Sequence, residues 1–188
     1  MKIKVSCLLI LVICNFFFMK VFAQNLNTDK IENKNYIYTI PQYLIFGANI
    51  GTDFSISSKI TLGGEINAHY RFGPPNLAIS PIMKYYFKGQ IGNGYYARAK
   101  LVGGFFFNQT AIDDHPYYAG GGIGIGGMTP LFRSGKWYIF ADLGFKFVAP
   151  FGNRSQSKID DNLWGMIYYT LLSPASMPEL FVGIAFRL

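Results

Sequence analysis

Hydrophobic and polar residues alternate along most of this chain, in segments of about ten residues that end in turn-forming residues. In residues 137–149 the odd positions are all apolar, whereas the even positions include Asp142 and Lys146. Because successive side chains of a β-strand point to opposite faces, this pattern predicts a strand with one apolar and one polar face.

The same alternation recurs often enough to predict eight strands, and an even number is typical of single-chain membrane barrels. The first predicted strand is the least regular, and we expect it to pair with the last one, with Pro41 marking the turn after it. The predicted strands are residues 35–40, 43–56, 59–72, 77–88, 94–107, 117–132, 136–149 and 179–188.

The apolar face could contact lipid or, as in a soluble lipocalin-like barrel, fill a core. Three features favour lipid: the apolar face is bulky and almost free of charge, the polar face carries both charge signs, and aromatic residues cluster near strand ends, as in membrane-interface belts. A closed barrel also satisfies its backbone hydrogen bonds without water. We therefore predict an all-β protein, an eight-stranded antiparallel up-and-down transmembrane β-barrel.

The charged and polar side chains of the inner face should then form a network inside the barrel. Its predicted members are Glu65, His69, Arg71, Lys84, Arg98, Lys100, Asp142 and Lys146. An eight-stranded barrel has an interior just wide enough for side chains to fill. A wide diffusion pore is therefore not expected.

Residues 1–23 have the pattern of a cleavable signal peptide: Lys2 and Lys4, an apolar stretch, and a small-residue site before Gln24. The alternatives are a membrane anchor, for which the apolar run is short, and lipoprotein processing at Cys14, where the preceding Ile13 is bulkier than expected. Cleavage would remove both cysteines of the chain, leaving no disulfide.

The remaining chain divides into a polar segment, residues 24–35, and a barrel, residues 36–188, with a long loop at about residues 152–178. The predicted connections alternate between short turns and longer loops. In membrane barrels the short turns and both termini face the periplasm. The final strand, Leu180–Leu188, is amphipathic like the C-terminal signal that the outer-membrane assembly machinery reads, although its aromatic is Phe186 and its last residue is leucine.

Composition narrows the possible functions. Only 14% of residues are charged, against about 25% in soluble domains. The net charge of +7 falls to +4 when the three lysines of residues 1–23 are removed. The sequence has no basic run, so we expect no nucleic-acid partner.

Three motifs could indicate chemistry. The run GGGIGIGG at residues 120–127 could cradle phosphate, but no helix pattern follows it, so we interpret it as a strand whose glycines make room for long side chains. His69 could act as a base oriented by Glu65, or belong to a polar network, which we favour. His115 lies in a turn sequence and could bind a metal, although a solvated loop is expected. We therefore predict no catalytic residue, no metal site and no cofactor.

The signal segment, the chain length, the strand ends YYF and FRL, and the strand GGGIGIG resemble small outer-membrane β-barrel domains of the OmpA/OmpX-like type, most of all the porin-like barrels of Bacteroidota. The resemblance covers roughly residues 36–188. It implies an eight-stranded outer-membrane barrel in contact with outer-membrane lipid, and no particular activity or surface ligand. A structural, surface-binding or envelope role is expected. A lipid-modifying barrel enzyme and a soluble periplasmic carrier are the alternatives.

Overall fold

A computed structural model describes residues 34–45, 47–70, 75–107, 117–151 and 178–188. Within these ranges the chain forms eight strands and one short helix. They are β1 (Tyr36–Thr39), α1 (Pro41–Leu44), β2 (Gly47–Ser55), β3 (Ile60–His69), β4 (Asn76–Gln90), β5 (Asn93–Phe106), β6 (Tyr117–Pro130), β7 (Trp137–Phe151) and β8 (Pro178–Arg187). None of the described residues belongs to a helix with the length and hydropathy of a membrane span.

Each strand pairs antiparallel with its neighbours in sequence, and β8 pairs with β1, so the sheet closes into a barrel. The register of the closing pair sets Ile37 opposite Phe186 and Thr39 opposite Ile184. These findings confirm the predicted all-β fold class, an eight-stranded antiparallel up-and-down barrel. They also confirm that the first strand pairs with the last.

The predicted strand 43–56 is wrong at its beginning. Pro41 is the first residue of the four-residue helix α1, and β2 begins only at Gly47. Proline has no N–H to donate to a sheet and has a fixed φ suited to the first helical position. The N–H of Tyr43 accordingly turns back to the carbonyl of Ile40, at 2.9 Å. The other predicted strands agree with the structure to within a few residues.

Because β1 is so short, part of the edge of β8 has no strand beside it among the residues that the structure describes. β8 has ten residues, but only Ile184–Arg187 pair with β1. Helix α1 lies between β8 and β2 where this pairing stops. The side chain of Gln42 replaces one missing strand contact, since its Oε1 accepts a hydrogen bond from the Val182 N–H at 3.0 Å.

The two ends of the barrel differ in their connections. The β2–β3, β4–β5 and β6–β7 turns lie at the end where β1 begins and β8 finishes, here called the turn end. Gly89 and Gly92 have positive φ angles of 84° and 85° where β4 turns into β5, a conformation that glycine adopts without strain. The other connections lie at the loop end, and residues 71–74, 108–116 and 152–177 of these are outside the described ranges. The grouping of short turns with both barrel termini was predicted.

Side-chain orientation follows the predicted alternation. On β7, Leu143 and Phe145 are 54% and 70% exposed on the outer wall, whereas Asp142 and Lys146 are buried inside. On β3, β4, β5 and β8 the outward residues are mainly apolar, and the inward residues include charged side chains such as Glu65 and Lys100 together with apolar ones such as Phe181. The buried charged side chains are therefore enclosed by an apolar outer surface.

Candidate functional site in the barrel interior

Eight charged side chains meet inside the barrel, and each is at most 5% exposed. Among the described residues, four are cations and four are anions, so the interior charge is balanced. The cations are Lys84, Arg98, Lys100 and Lys146, and the anions are Asp53, Glu65, Asp142 and Glu179. Burial of charges at this density requires mutual pairing, because isolated ions lose several kcal/mol of hydration (order of magnitude).

The ammonium group of Lys84 is enclosed by a carboxylate and three aromatic rings. Its Nζ lies 2.6 Å from Asp53 Oδ2. The rings of Tyr38, Tyr96 and Phe140 surround it, with their centroids 4.9, 5.1 and 5.2 Å from Nζ. An ion pair and three aromatic faces therefore replace the water that Lys84 loses on burial.

Glu179 on β8 is the centre of the second charge cluster. Its carboxylate forms salt bridges with Lys100 Nζ at 2.7 Å, with Lys146 Nζ at 3.2 Å and with the guanidinium of Arg98. The Nε of Arg98 lies 3.5 Å from Asp142 Oδ1. This one carboxylate connects β5, β7 and β8 across the interior.

Glu65 and His69, which the sequence predicted to lie together, have separate partners in the structure. The carboxylate of Glu65 accepts a hydrogen bond from the Tyr38 hydroxyl at 3.2 Å and lies 3.6 Å from Lys100 Nζ. His69 is buried four residues further along β3, about 13 Å away at the usual rise per residue. Its ring centroid lies 6.0 Å from that of Tyr43 on α1. Glu65 is thus engaged in the ionic network, and Arg71 lies outside the described residues.

All other members of the predicted network lie in the interior. Two further anions join them: Asp53, which the alternation placed on the polar face, and Glu179, which was not predicted. Asp53 has the same parity as the polar residues of its strand, and Glu179 directly precedes the outward-facing Leu180. Both inward positions can therefore be read from the alternation. Their partners cannot, because Asp53 and Lys84 are separated by 31 positions and Arg98 and Glu179 by 81.

Aromatic rings fill the interior on the turn-end side of the charges. Tyr36 and Tyr138 pack edge to face with centroids 5.1 Å apart. Tyr86 and Tyr96 lie 5.0 Å apart, and the Tyr86 hydroxyl is 3.6 Å from the sulfur of Met128. These buried rings occupy the cross-section where an open channel would have to continue.

The glycine run on β6 makes room for this crowded interior. A Cβ atom at Gly126 would lie 2.1 Å from Asp142 Oδ1, and one at Gly124 would lie 2.6 Å from the Leu143 carbonyl oxygen and 3.1 Å from Arg98 Nε. The run forms part of a regular strand paired with β5 and β7. The structure therefore confirms the interpretation as a strand whose glycines accommodate long side chains.

No group of three or more His, Cys, Asp or Glu side chains among residues 34–45, 47–70, 75–107, 117–151 and 178–188 is arranged to hold a metal ion. His115, the other histidine considered above, is outside these ranges. In the described interior, the arrangement is one of charge pairing and packing.

No protein-family model matches this chain, and no curated protein or solved structure matches it. The functional argument therefore depends on the distribution of its own side chains.

Proposed function

We propose that this chain is an integral β-barrel protein of the outer membrane of a Gram-negative cell, exported by its N-terminal signal segment. In this proposal it has a structural, surface-binding or envelope role and no wide open pore. The observation that carries the proposal is that the distribution of apolar and charged side chains is the reverse of that in a soluble protein. The outward-facing side chains of the wall are mainly apolar, and eight charged groups are buried inside.

The outward apolar residues form one continuous surface across neighbouring strands. Ile123 on β6 is opposite Phe145 on β7, and Leu143 on β7 is opposite Leu180 on β8. Ile123, Phe145 and Leu180 are 72%, 70% and 75% exposed. Soluble monomers rarely expose contiguous apolar patches larger than a few hundred Å². Contact with acyl chains would bury this surface.

Aromatic residues border this apolar surface at both ends, which also supports a membrane position. Tyr85, Tyr95 and Trp137 are exposed at the turn end, and Phe107 and Tyr117 are exposed at the loop end. Tyrosine and tryptophan prefer the membrane–water interface because they combine an apolar ring with a polar group. β4 and β7 have fifteen residues each, more than the 9–11 that a tilted strand needs to cross a bilayer.

The interior argues against the two alternatives that involve a cavity. A soluble carrier of the lipocalin type needs an apolar interior, and a diffusion pore needs open cross-section. Here the described interior contains a balanced ionic network next to a layer of packed tyrosines. We therefore favour a filled barrel.

The last strand supports the proposed dependence on the outer-membrane assembly machinery. Leu180, Val182, Ile184 and Leu188 lie exposed on one face of this segment. Phe186 packs against Trp137 with centroids 5.1 Å apart. An amphipathic strand of this kind offers a partner both an apolar face and, beside residues 178–183, an edge not covered by β1.

Two matched arginine substitutions test the membrane proposal. Leu143→Arg places a charge at the middle of β7, whereas Leu131→Arg places it just beyond β6 at the turn end. Both leucines are exposed, at 54% and 41%. An arginine facing lipid costs about 2–4 kcal/mol at the bilayer midplane and about 0–1 kcal/mol near the interface. In a soluble barrel both positions would tolerate arginine equally.

We expect the parent and L131R to fractionate with the outer membrane and to migrate as heat-modifiable folded species, and L143R to lose the folded band. Recovery of the parent protein in the soluble fraction without detergent would refute the proposal. Equal folded yields of the two variants in vesicles would count against lipid contact at the middle of β7.

A further inference from the structure

The turn end carries an unbalanced set of charges. Its cationic side chains, here called the basic rim, are Lys34, Lys59, Lys88, Arg133, Lys136 and Arg187. Lys34 and Arg187 are half-buried, and the other four are exposed. Each of the four carboxylate side chains within the described ranges is buried in the barrel interior instead. The rim is therefore a region of positive potential at one end of the molecule.

The opposite end has a different composition. The β5–β6 and β7–β8 connections contain four aspartates, and these two connections together with β3–β4 contain three cations. The positive charge of the turn end is thus not a general property of the connections. It belongs to the three short turns, to Lys34 just before β1 and to the end of β8.

Exposed aromatic side chains lie directly beside the basic rim on the outer wall. The Nζ of Lys88 is 6.0 Å from the ring centroid of Tyr95. Lys136 is followed by Trp137, which is exposed at the first position of β7. Outward-pointing aromatic rings are typical of the membrane–water interface of a bilayer. The cations beside them, nearer the turn end, would lie at the level of the lipid phosphates.

We propose that the basic rim binds the phosphate groups of anionic phospholipid headgroups in the membrane leaflet at the turn end. The inference rests on the proposed membrane function. Charge complementarity argues for an anionic ligand, and the distribution of the cations around all three turns argues for an annulus of lipids. A linear polymer would instead need the cations to lie on one side of the rim. Each Lys or Arg near an anionic membrane surface strengthens binding of the protein to that surface about fivefold.

Trp137 provides a reporter at the rim. The chain has two tryptophans, and Trp164→Phe leaves Trp137 as the only one. The full mature protein with this change is refolded into vesicles of phosphatidylcholine mixed with phosphatidylglycerol, and one lipid at a time carries brominated acyl chains that quench tryptophan. We expect preferential quenching by brominated phosphatidylglycerol, and a preference that falls as salt is added.

The charge variant Lys88→Gln, Arg133→Gln, Lys136→Gln should lose most of this preference while its heat-modifiable folded band remains. The matched control Arg71→Gln, Arg154→Gln, Lys158→Gln removes the same number of charges from the β3–β4 and β7–β8 connections. It should keep the preference. An equal loss in both variants would assign the effect to net charge and overturn the proposal.

Two further outcomes separate this inference from the proposed function. Equal quenching by both brominated lipids in the parent would overturn lipid recognition by the rim but would leave the membrane-barrel proposal standing. Retention of the protein on isolated peptidoglycan would then indicate that the rim binds an anionic polymer. Absence of quenching by either lipid would mean that Trp137 does not contact the bilayer. That result would overturn both proposals.

Discussion

Lys84 Nζ and Asp53 Oδ2 lie 2.6 Å apart, and both side chains are almost completely buried. The two residues face each other from β4 and β2, with β3 between them. Three aromatic rings close the remaining space around the ammonium group. Charge pairing across the interior therefore connects strands that do not share backbone hydrogen bonds.

Neutralising one member of this pair should destabilise the barrel. Asp53→Asn leaves the Lys84 charge buried without its carboxylate, so we expect the free energy of unfolding to fall by about 3–5 kcal/mol. Urea unfolding of the protein in vesicles, followed by tryptophan fluorescence, measures this loss. Asp53→Asn combined with Lys84→Gln should recover part of it, because no unpaired charge remains. A single variant as stable as the parent would contradict the proposed energetic role.

The inward glycines of β6 should resist even the smallest side chain. In Gly126→Ala the new methyl group would overlap Asp142 and Tyr96, with ideal distances of 2.1 and 2.7 Å. We expect a loss of about 1–3 kcal/mol in the free energy of unfolding, as for other overpacked cores. Gly103→Ala is the matched control, because a Cβ there meets no atom within 4 Å. Equal stability of the two variants would refute the packing argument.

The contact of Gln42 with β8 should control local opening of the barrel wall. Gln42→Ala removes the acceptor of the Val182 N–H, for which β1 supplies no replacement. We expect faster hydrogen exchange at Val182 and little change at Ile184, which pairs with Thr39. Gln90→Ala, at the end of β4, is a matched control that should leave both amides unchanged. Unaltered exchange at Val182 in Q42A would show that the side chain does not protect this edge.

The lipid-modifying alternative makes a different prediction from a filled structural barrel. If His69 and Glu65 perform chemistry, His69→Ala and Glu65→Gln should alter the lipid A profile of the producing cells. We expect an unchanged profile, because Tyr38 and Lys100 engage the Glu65 carboxylate. Mass spectrometry of extracted lipid A measures the profile. Cells that produce the parent protein and cells that produce neither parent nor variant are the references. A modification present with the parent and lost in H69A would support the enzyme.

Much of the fold follows from period-two alternation alone. The parity of Asp142 and Lys146 against Leu143 and Phe145 predicted which side chains point inward, and the structure places all four accordingly. Parity is a local property of an extended chain, so it requires no knowledge of distant residues. The helix that begins at Pro41 was missed because Leu44 and Phe46 continue the apolar positions of the next strand, although proline breaks the strand.

The amino-acid sequence by itself determined the class of fold, the number of strands and the division into an apolar and a charged face. Only the tertiary structure decided that Glu179 is shared by Arg98, Lys100 and Lys146, and that Gln42 covers the edge of β8. These contacts depend on the register in which distant strands pair around the closed barrel. Alternation specifies the face of each residue, but the height of one strand relative to another is set by barrel closure and interior packing.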